Sequence, residues 1–279
     1  MFEIDRVYRR QDLHAQFGGQ EQGGISTPRA HPFLILFTGA AGARHGYTDA
    51  WEDDGKVFRY YGEGQLGNME FVRGNSAIRD HSARGKDLHL FRADHQGHAT
   101  YLGQFVCAGY VLEPNVPDTA GEPRTAIVFR LVPIAGADPE ALAGDGTPIP
   151  AEDDVPAGWY WSAPLEQVLA AALEPPASDA TPKQARRIVR KRSEAVKVFV
   201  QRRAHGNCEG CGAAAPFKTA DGRPYLEPHH TRRLSDGGPD HPAWVVAVCP
   251  TCHRRAHHAV DAKLFNAGLI KIANSLTAP

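Results

Sequence analysis

Cysteine is scarce in this chain, with 5 in 279 residues, and four of them fall in two Cys-x-x-Cys pairs, Cys208/Cys211 and Cys249/Cys252. Cys107 is left alone in the apolar run Phe105-Val106-Cys107-Ala108, which argues against a disulfide framework and predicts a small buried hydrophobe there. Long apolar runs are also missing: no stretch approaches the roughly eighteen uninterrupted apolar residues of a membrane-spanning helix. The opening MFEIDRVYRRQD has neither an apolar signal core nor an Arg/Ser-rich transit character, so the expectation is a cytoplasmic protein with no membrane partner. An excess of one charge is absent too, the net charge being −1. That overall balance hides a local one. Basic residues crowd into 183–203 and recur at Arg232-Arg233 and Arg254-Arg255, while acidic residues gather in 137–179. Basic stripes of this kind govern phosphate binding more directly than the whole-chain sum.

The length suits two modest domains, and the 42% apolar content is enough to bury their cores. From Pro32 to Ile134 short apolar or alternating runs punctuated by Gly, Asp and Asn predict a β-rich unit, a twisted and partly closed antiparallel barrel. The Ala/Pro/Gly/Asp-rich stretch after Ile134 has little periodicity and reads as a linker, with one short helix expected over 164–173. A second helix has a clear start, because Thr181 can cap it, Pro182 suits its first position and Gln184 completes a capping box. It should run to about Arg203. The expected division is 1–135, a linker over 136–182, and 183–279.

Two Cys-x-x-Cys turns some forty residues apart supply a tetrahedral thiolate cage for a structural Zn2+. The histidines around them, His229-His230 before the second pair and His253 and His257 after it, are then left for chemistry. Hydrolysis needs a base to take a proton from water and a cation to meet the growing negative charge. Imidazoles and a divalent ion supply both.

The stretch from CEGCG through YLEPHHTRRLSDGGPDHPAWVVAVCPTCHRRAH, within 205–258, resembles the HNH endonuclease family in its zinc-containing, McrA-like branch. The resemblance implies a ββα-metal unit: a strand at 224–230, a loop through Gly237-Gly238, a strand at 244–248 and a helix from about Pro250. It implies His229 as a metal ligand, His230 as general base, His253 as the ligand from the helix, and His257, one turn on, as a third ligand or a partner of one. Mg2+, Mn2+, Co2+ or Ni2+ could serve there. Trp244 stands where that family has a middle Asn that pins the loop of the base. The departure leaves open an alternative, a methylcytosine-binding protein with an inactive HNH domain.

The front half resembles the SRA domain, a PUA-like β-barrel module that reads modified cytosine. The similarity is carried by GYTDAWEDDGKVFRYYGEGQLGN, residues 46–68, by the GNSAIRDHSARGKDLHLFR segment after it, and by LHAQFGGQEQGGIS upstream. The resemblance implies that Tyr47 and Tyr60 sandwich a cytosine flipped from double-stranded DNA, with Asp49 or Asp53 receiving its exocyclic amine. Trp51 would then wall the pocket and Gly62 would open a tight turn beside it. Arg73 and Arg79 are expected phosphate contacts along with Arg232, Arg233, Arg254 and Arg255. Together the resemblances describe an α+β chain, an SRA-like barrel joined by a helical linker to an HNH domain. They imply a modification-dependent endonuclease acting on 5-methylcytosine or 5-hydroxymethylcytosine in DNA. A homodimer is expected, since two strands must be cut. A nuclease whose β-domain reads RNA or phosphorothioate DNA is a further alternative.

Overall fold

The computed structural model describes residues 2–39, 48–94, 97–134, 158–179, 181–231 and 241–277. The described residues divide into two compact units, one formed by those up to 134 with 175–189, the other by 158–174 with those from 190 onward.

The first unit is built on β1 (Val7–Arg9), α1 (Arg10–Phe17), β2 (Ile25–Ser26), β3 (Phe33–Thr38), β4 (Ala50–Glu52), β5 (Val57–Tyr61), α2 (Arg73–Arg79), β6 (Asp87–Ala93), β7 (His98–Pro117) and β8 (Pro123–Pro133). The chain then runs through α3 (Trp159–Ser162) and α4 (Leu165–Ala172), which belong to the second unit, and returns with β9 (Ala177–Ser178). The strands form one nine-stranded sheet in the order β2-β3-β6-β7-β8-β5-β4, with β1 and β9 both pairing β7. It is mixed rather than antiparallel as expected: β3 runs parallel to β6, and β7 parallel to β9. Between β3 and β6 the chain makes the β4–β5 hairpin and α2, a crossover long enough to bring a second strand back in the same direction.

The run Phe33-Leu34-Ile35-Leu36-Phe37 lacks alternation because both faces of β3 are covered. Leu34 and Leu36 point into a cluster with Phe58, Ile78, Leu88, Phe105 and Phe129, while Phe33, Ile35 and Phe37 meet Leu13, Phe91 and Tyr101 on the other side. Each such side chain contributes about 1.5–3 kcal/mol when fully buried. β7, at 20 residues, can pair along two neighbours because its register shifts at Cys107/Gly109 and Glu113/Val116 bend it. Cys107 is buried in this sheet, its Sγ 3.5 Å from Gly109 O, as its apolar setting predicts.

The second unit continues with α5 (Pro182–Arg203), whose first turns belong to the first unit, and then β10 (Glu227–His230), β11 (Val245–Val248), α6 (Pro250–His258) and α7 (Ala262–Thr277). The capping box forms at the start of α5: Thr181 N–H donates to Gln184 Oε1 at 2.8 Å, and Gln184 N–H to Thr181 Oγ1 at 3.3 Å. The core gathers Val196 and Phe199 of α5, all four valine and alanine residues of β11, and Leu269 and Ala273 of α7. Part of the stretch expected as linker also belongs here. α3 and α4 bury Tyr160, Val168 and Ala172 in this core, and Arg202 Nη1 fastens them by donating to Tyr160 O at 2.8 Å and Ala163 O at 2.6 Å. Among the described residues no helix is long and apolar enough to cross a membrane.

Candidate functional site

Zinc-type ligands come together where the turn after α5 meets the start of α6. Cys208 and Cys211 sit in the turn after α5, and Cys249 and Cys252 bracket the start of α6; their four Sγ atoms all lie within 4.8 Å of one another. Gly212, at φ +75°, turns the chain back so that its N–H reaches Cys208 O at 2.7 Å. Burial pushes the Cys208 thiol up, but N–H donors from Cys249, Cys211 and Gly210 outweigh it and hold the group below the ordinary thiol range. A thiolate therefore has a prepared place. The Cys249 and Cys252 thiols are pushed the other way, chiefly by burial, and the four sulfurs together fit a tetrahedral ion with metal–sulfur bonds of about 2.3 Å.

A second set lies alongside. His229 on β10 and His253 and His257 on α6 each offer a ring nitrogen, all within 4.8 Å of one another, and their ring centroids are 4.9–5.1 Å apart. One helical turn separates His253 from His257, which places them on one face. His229 is buried, and desolvation, opposed by its hydrogen bond to Asn266 and reinforced by the neighbouring imidazoles, pushes its pKa down to about 4. At neutral pH its ring is uncharged. His253 Nδ1 meets Glu227 Oε2 at 2.5 Å, leaving Nε2 for a metal, and Glu227 Oε1 accepts from the Tyr225 hydroxyl at 3.0 Å. A carboxylate behind a ligating imidazole fixes its tautomer and raises its basicity. His230 follows His229, half-buried, and is not one of the three donors. Trp244 ends a 3-10 turn, Pro242–Trp244, and its backbone carbonyl accepts from both Thr231 N and Thr231 Oγ1 at 2.9 Å.

Glu227 and Asn266 are functional candidates that motif reading missed. Glu227 carried a faint signal, being two residues before His229 and so on the same strand face. Asn266 carried none, because it sits on α7, beyond the motif.

In the first unit Asp49 is the most firmly placed of the pocket residues. Its carboxylate accepts from Thr38 Oγ1 at 2.7 Å and from Tyr61 N–H at 2.8 Å. Burial pushes its carboxyl above the usual range, against the pull of those hydrogen bonds and of Arg59. Asp53 lies in the turn of the β4–β5 hairpin, at φ +53°. Tyr60 is buried, its hydroxyl donating to Gly24 O at 2.9 Å. Trp51 is 46% exposed and packs edge-on against Phe58. Gly62 faces the Asn75 side chain so closely that a Cβ would come within 2.6 Å of its Oδ1, which accounts for glycine there by packing alone. Tyr47, Arg232 and Arg233 lie outside the described residues.

The remaining cations differ in their commitments. Arg73 is exposed at φ +46° and Arg254 is exposed on α6. Arg79 is held by Asp80, Nε to Oδ1 at 2.6 Å, over the Phe71 ring, and Arg255 is paired with Asp261 over Phe265.

Comparison with known proteins agrees with this arrangement. The profile described as the ScoMcrA-like SRA domain matches residues 5–146, just over half of the chain, and that of the HNH endonuclease matches 208–259. The type IV methyl-directed restriction enzyme EcoKMcrA of Escherichia coli (strain K12) is 47% identical over 72 residues, 26% of this chain and 26% of that protein. Among solved structures, the type IV phosphorothioation-dependent restriction endonuclease ScoMcrA is similar at 22% identity and a TM-score of 0.43 over 99% of this chain and 63% of that one. The SUVH5 SRA domain, solved with hemimethylated CG DNA, is similar at 21% identity and a TM-score of 0.36 over 48% of this chain and 90% of that one. The chain thus spans about a quarter of the first relative and under two thirds of the second. With an SRA profile over its first half, the chain belongs to the ScoMcrA-like SRA family, and over the cysteine and histidine clusters it carries an HNH endonuclease region similar to part of the McrA relative.

Proposed function

We propose that this protein is a modification-dependent DNA endonuclease: a module within residues 1–135 reads 5-methylcytosine or 5-hydroxymethylcytosine, and one within 183–279 hydrolyses the backbone. The observation that carries this reading is the convergence of His229, His253 and His257 beside His230, in the same chain as an SRA region.

To read the mark, the target nucleotide leaves the duplex at a cost of a few kcal/mol. Stacking on Tyr47 and Tyr60 returns about 1–3 kcal/mol per ring. Asp49, already fixed by Thr38 and Tyr61, accepts from the exocyclic amine, with Trp51 at the pocket wall and Gly62 in the turn beside it. Arg73, Arg79, Arg232, Arg233, Arg254 and Arg255 lie along the phosphates. Arg79 and Arg255 would first exchange their carboxylate partners.

To cut, His230 takes a proton from the attacking water at a ring nitrogen. His229, His253 and His257 would hold Mg2+, Mn2+, Co2+ or Ni2+, and such an ion would neutralise the charge growing on the phosphate and leaving oxygens. Glu227 keeps His253 turned toward that ion. Cys208, Cys211, Cys249 and Cys252 would hold Zn2+ and so tie α6 to the turn after α5, and a homodimer would present one hydrolytic site to each strand.

The test is to incubate methylated, hydroxymethylated, phosphorothioated and plain DNA with the protein and each divalent metal, and to measure cleavage and binding. Metal-dependent cleavage of methylated or hydroxymethylated DNA alone, abolished in His230→Ala with binding kept, is the expected result. Binding without cleavage under every metal would make the chain a reader only, and a response to phosphorothioate alone would reassign its ligand.

A further inference from the structure

Asn266 lies on α7, beyond the span of the HNH profile, yet it touches the residues on both sides of His230. Its Oδ1 is 3.0 Å from His229 Nε2, and its Nδ2 donates to the Thr231 backbone carbonyl. The orientation of this amide follows from its partners. A carbonyl can only accept, so the amide nitrogen must face Thr231, and the oxygen left for His229 can only accept in turn. His229 must therefore carry its proton on Nε2, leaving the lone pair on Nδ1. His229 and Thr231 are 3% and 2% exposed, so water has little room to replace either bond. The clamp itself is anchored, because α7 buries Leu269 and Ala273 in the core of this unit.

We infer that Asn266 is a positioning residue for the hydrolytic site, selecting the Nδ1-ligating tautomer of His229 with its oxygen and, with its nitrogen, fixing the strand end on which the base His230 sits. One side chain thus does two separable jobs. At the position where the HNH resemblance leads one to expect an Asn, Trp244 meets Thr231 through its backbone carbonyl, and Asn266 holds the other side of the same residue. The inference rests on the reading of the three imidazoles as a metal site.

The experiment uses the full chain with zinc loaded, adds Co2+ alone, and follows its binding by calorimetry and by the visible absorption of the ion. Cleavage of methylated plasmid and zinc content are measured in parallel. In Asn266→Ala, cobalt binding and the cleavage rate should each fall about 10–100-fold while zinc content stays unchanged. Asn266→Asp keeps the acceptor for His229 and loses the donor to Thr231, so it should bind cobalt nearly as wild type does and still cleave slowly. Wild-type cobalt affinity and cleavage in Asn266→Ala would overturn the inference. So would a loss of zinc together with cobalt, which marks a general folding role. If the alanine variant does not fold, the aspartate variant decides, and wild-type cleavage by it refutes the idea. A wild-type chain that takes up no cobalt beyond its zinc cage brings down the metal reading itself, a result distinct from any difference between variants.

Discussion

Arg203, the last residue of α5, sets up the sharpest test of how the second unit is held together. Its side chain is 8% exposed and its guanidinium grips Glu209, whose side chain is 6% exposed, through Nε and Nη2 at 2.8 and 2.9 Å. The same head group donates to Pro242 O at 3.1 Å and Val245 O at 3.0 Å, and Glu209 Oε2 accepts from Ala247 N–H at 2.8 Å. This knot joins α5, the first cysteine turn and β11, and β11 pairs with the strand that carries His229. Arg203→Met would leave a carboxylate buried without its cation and two carbonyls without their donor. Removing one partner of a buried pair costs about 3–5 kcal/mol, whereas removing both can cost far less. Urea unfolding of the zinc-loaded protein can be followed by fluorescence, since three of the 4 tryptophans, Trp159, Trp161 and Trp244, lie in this unit. The single variant should lose about 3–5 kcal/mol, and the double variant Arg203→Met/Glu209→Gln should recover at least about 1 kcal/mol of that. A single-variant loss under about 1 kcal/mol, or a double variant no more stable than the single, would refute the argument.

Cys249→Ser should lower bound zinc and, with it, the helical signal of α6 and cobalt uptake at the histidines, because structural zinc supplies folding free energy directly; elemental analysis with circular dichroism checks this, and a zinc-poor variant with wild-type helicity and melting would contradict it. Tyr61, desolvated and hydrogen-bonded to Glu113, has its pKa pushed up to about 12. The folded protein keeps that proton while the unfolded chain releases it near pH 10, so about 3 kcal/mol of stability is fully present below pH 10 and fades as the pH rises to about 12. Tyr61→Phe should flatten this alkaline loss, and a tyrosinate absorbance difference between the two proteins centred near pH 10 would count against it. Gly62→Ala should cost about 1–3 kcal/mol in thermal melts through the Asn75 contact; unchanged stability with weakened binding of modified DNA would instead assign Gly62 to the pocket.

What could be read in advance shares one property, that its signal is local. The cysteine pairs, the one-turn spacing of His253 and His257, and the Thr181–Gln184 box each depend on a few adjacent residues, and each appears where its spacing places it. The parallel pairing of β3 with β6 was hidden because a strand covered on both faces shows no alternation, so Phe33 to Phe37 reveals burial but not direction. Arg203, Glu227 and Asn266 were hidden for a different reason. Each is an ordinary polar residue in a helix or strand, and its importance comes from a partner that only the tertiary packing supplies. The exchange at Trp244 makes the point physically. A motif position can change while the need behind it stays, because a buried carbonyl and a buried imidazole next to His230 must be satisfied by some donor and some acceptor. Which residue does so is set by the helix that packs there, and α7 brings Asn266. A substitution inside the motif therefore says little about activity until the neighbours of His230 have been traced to their partners.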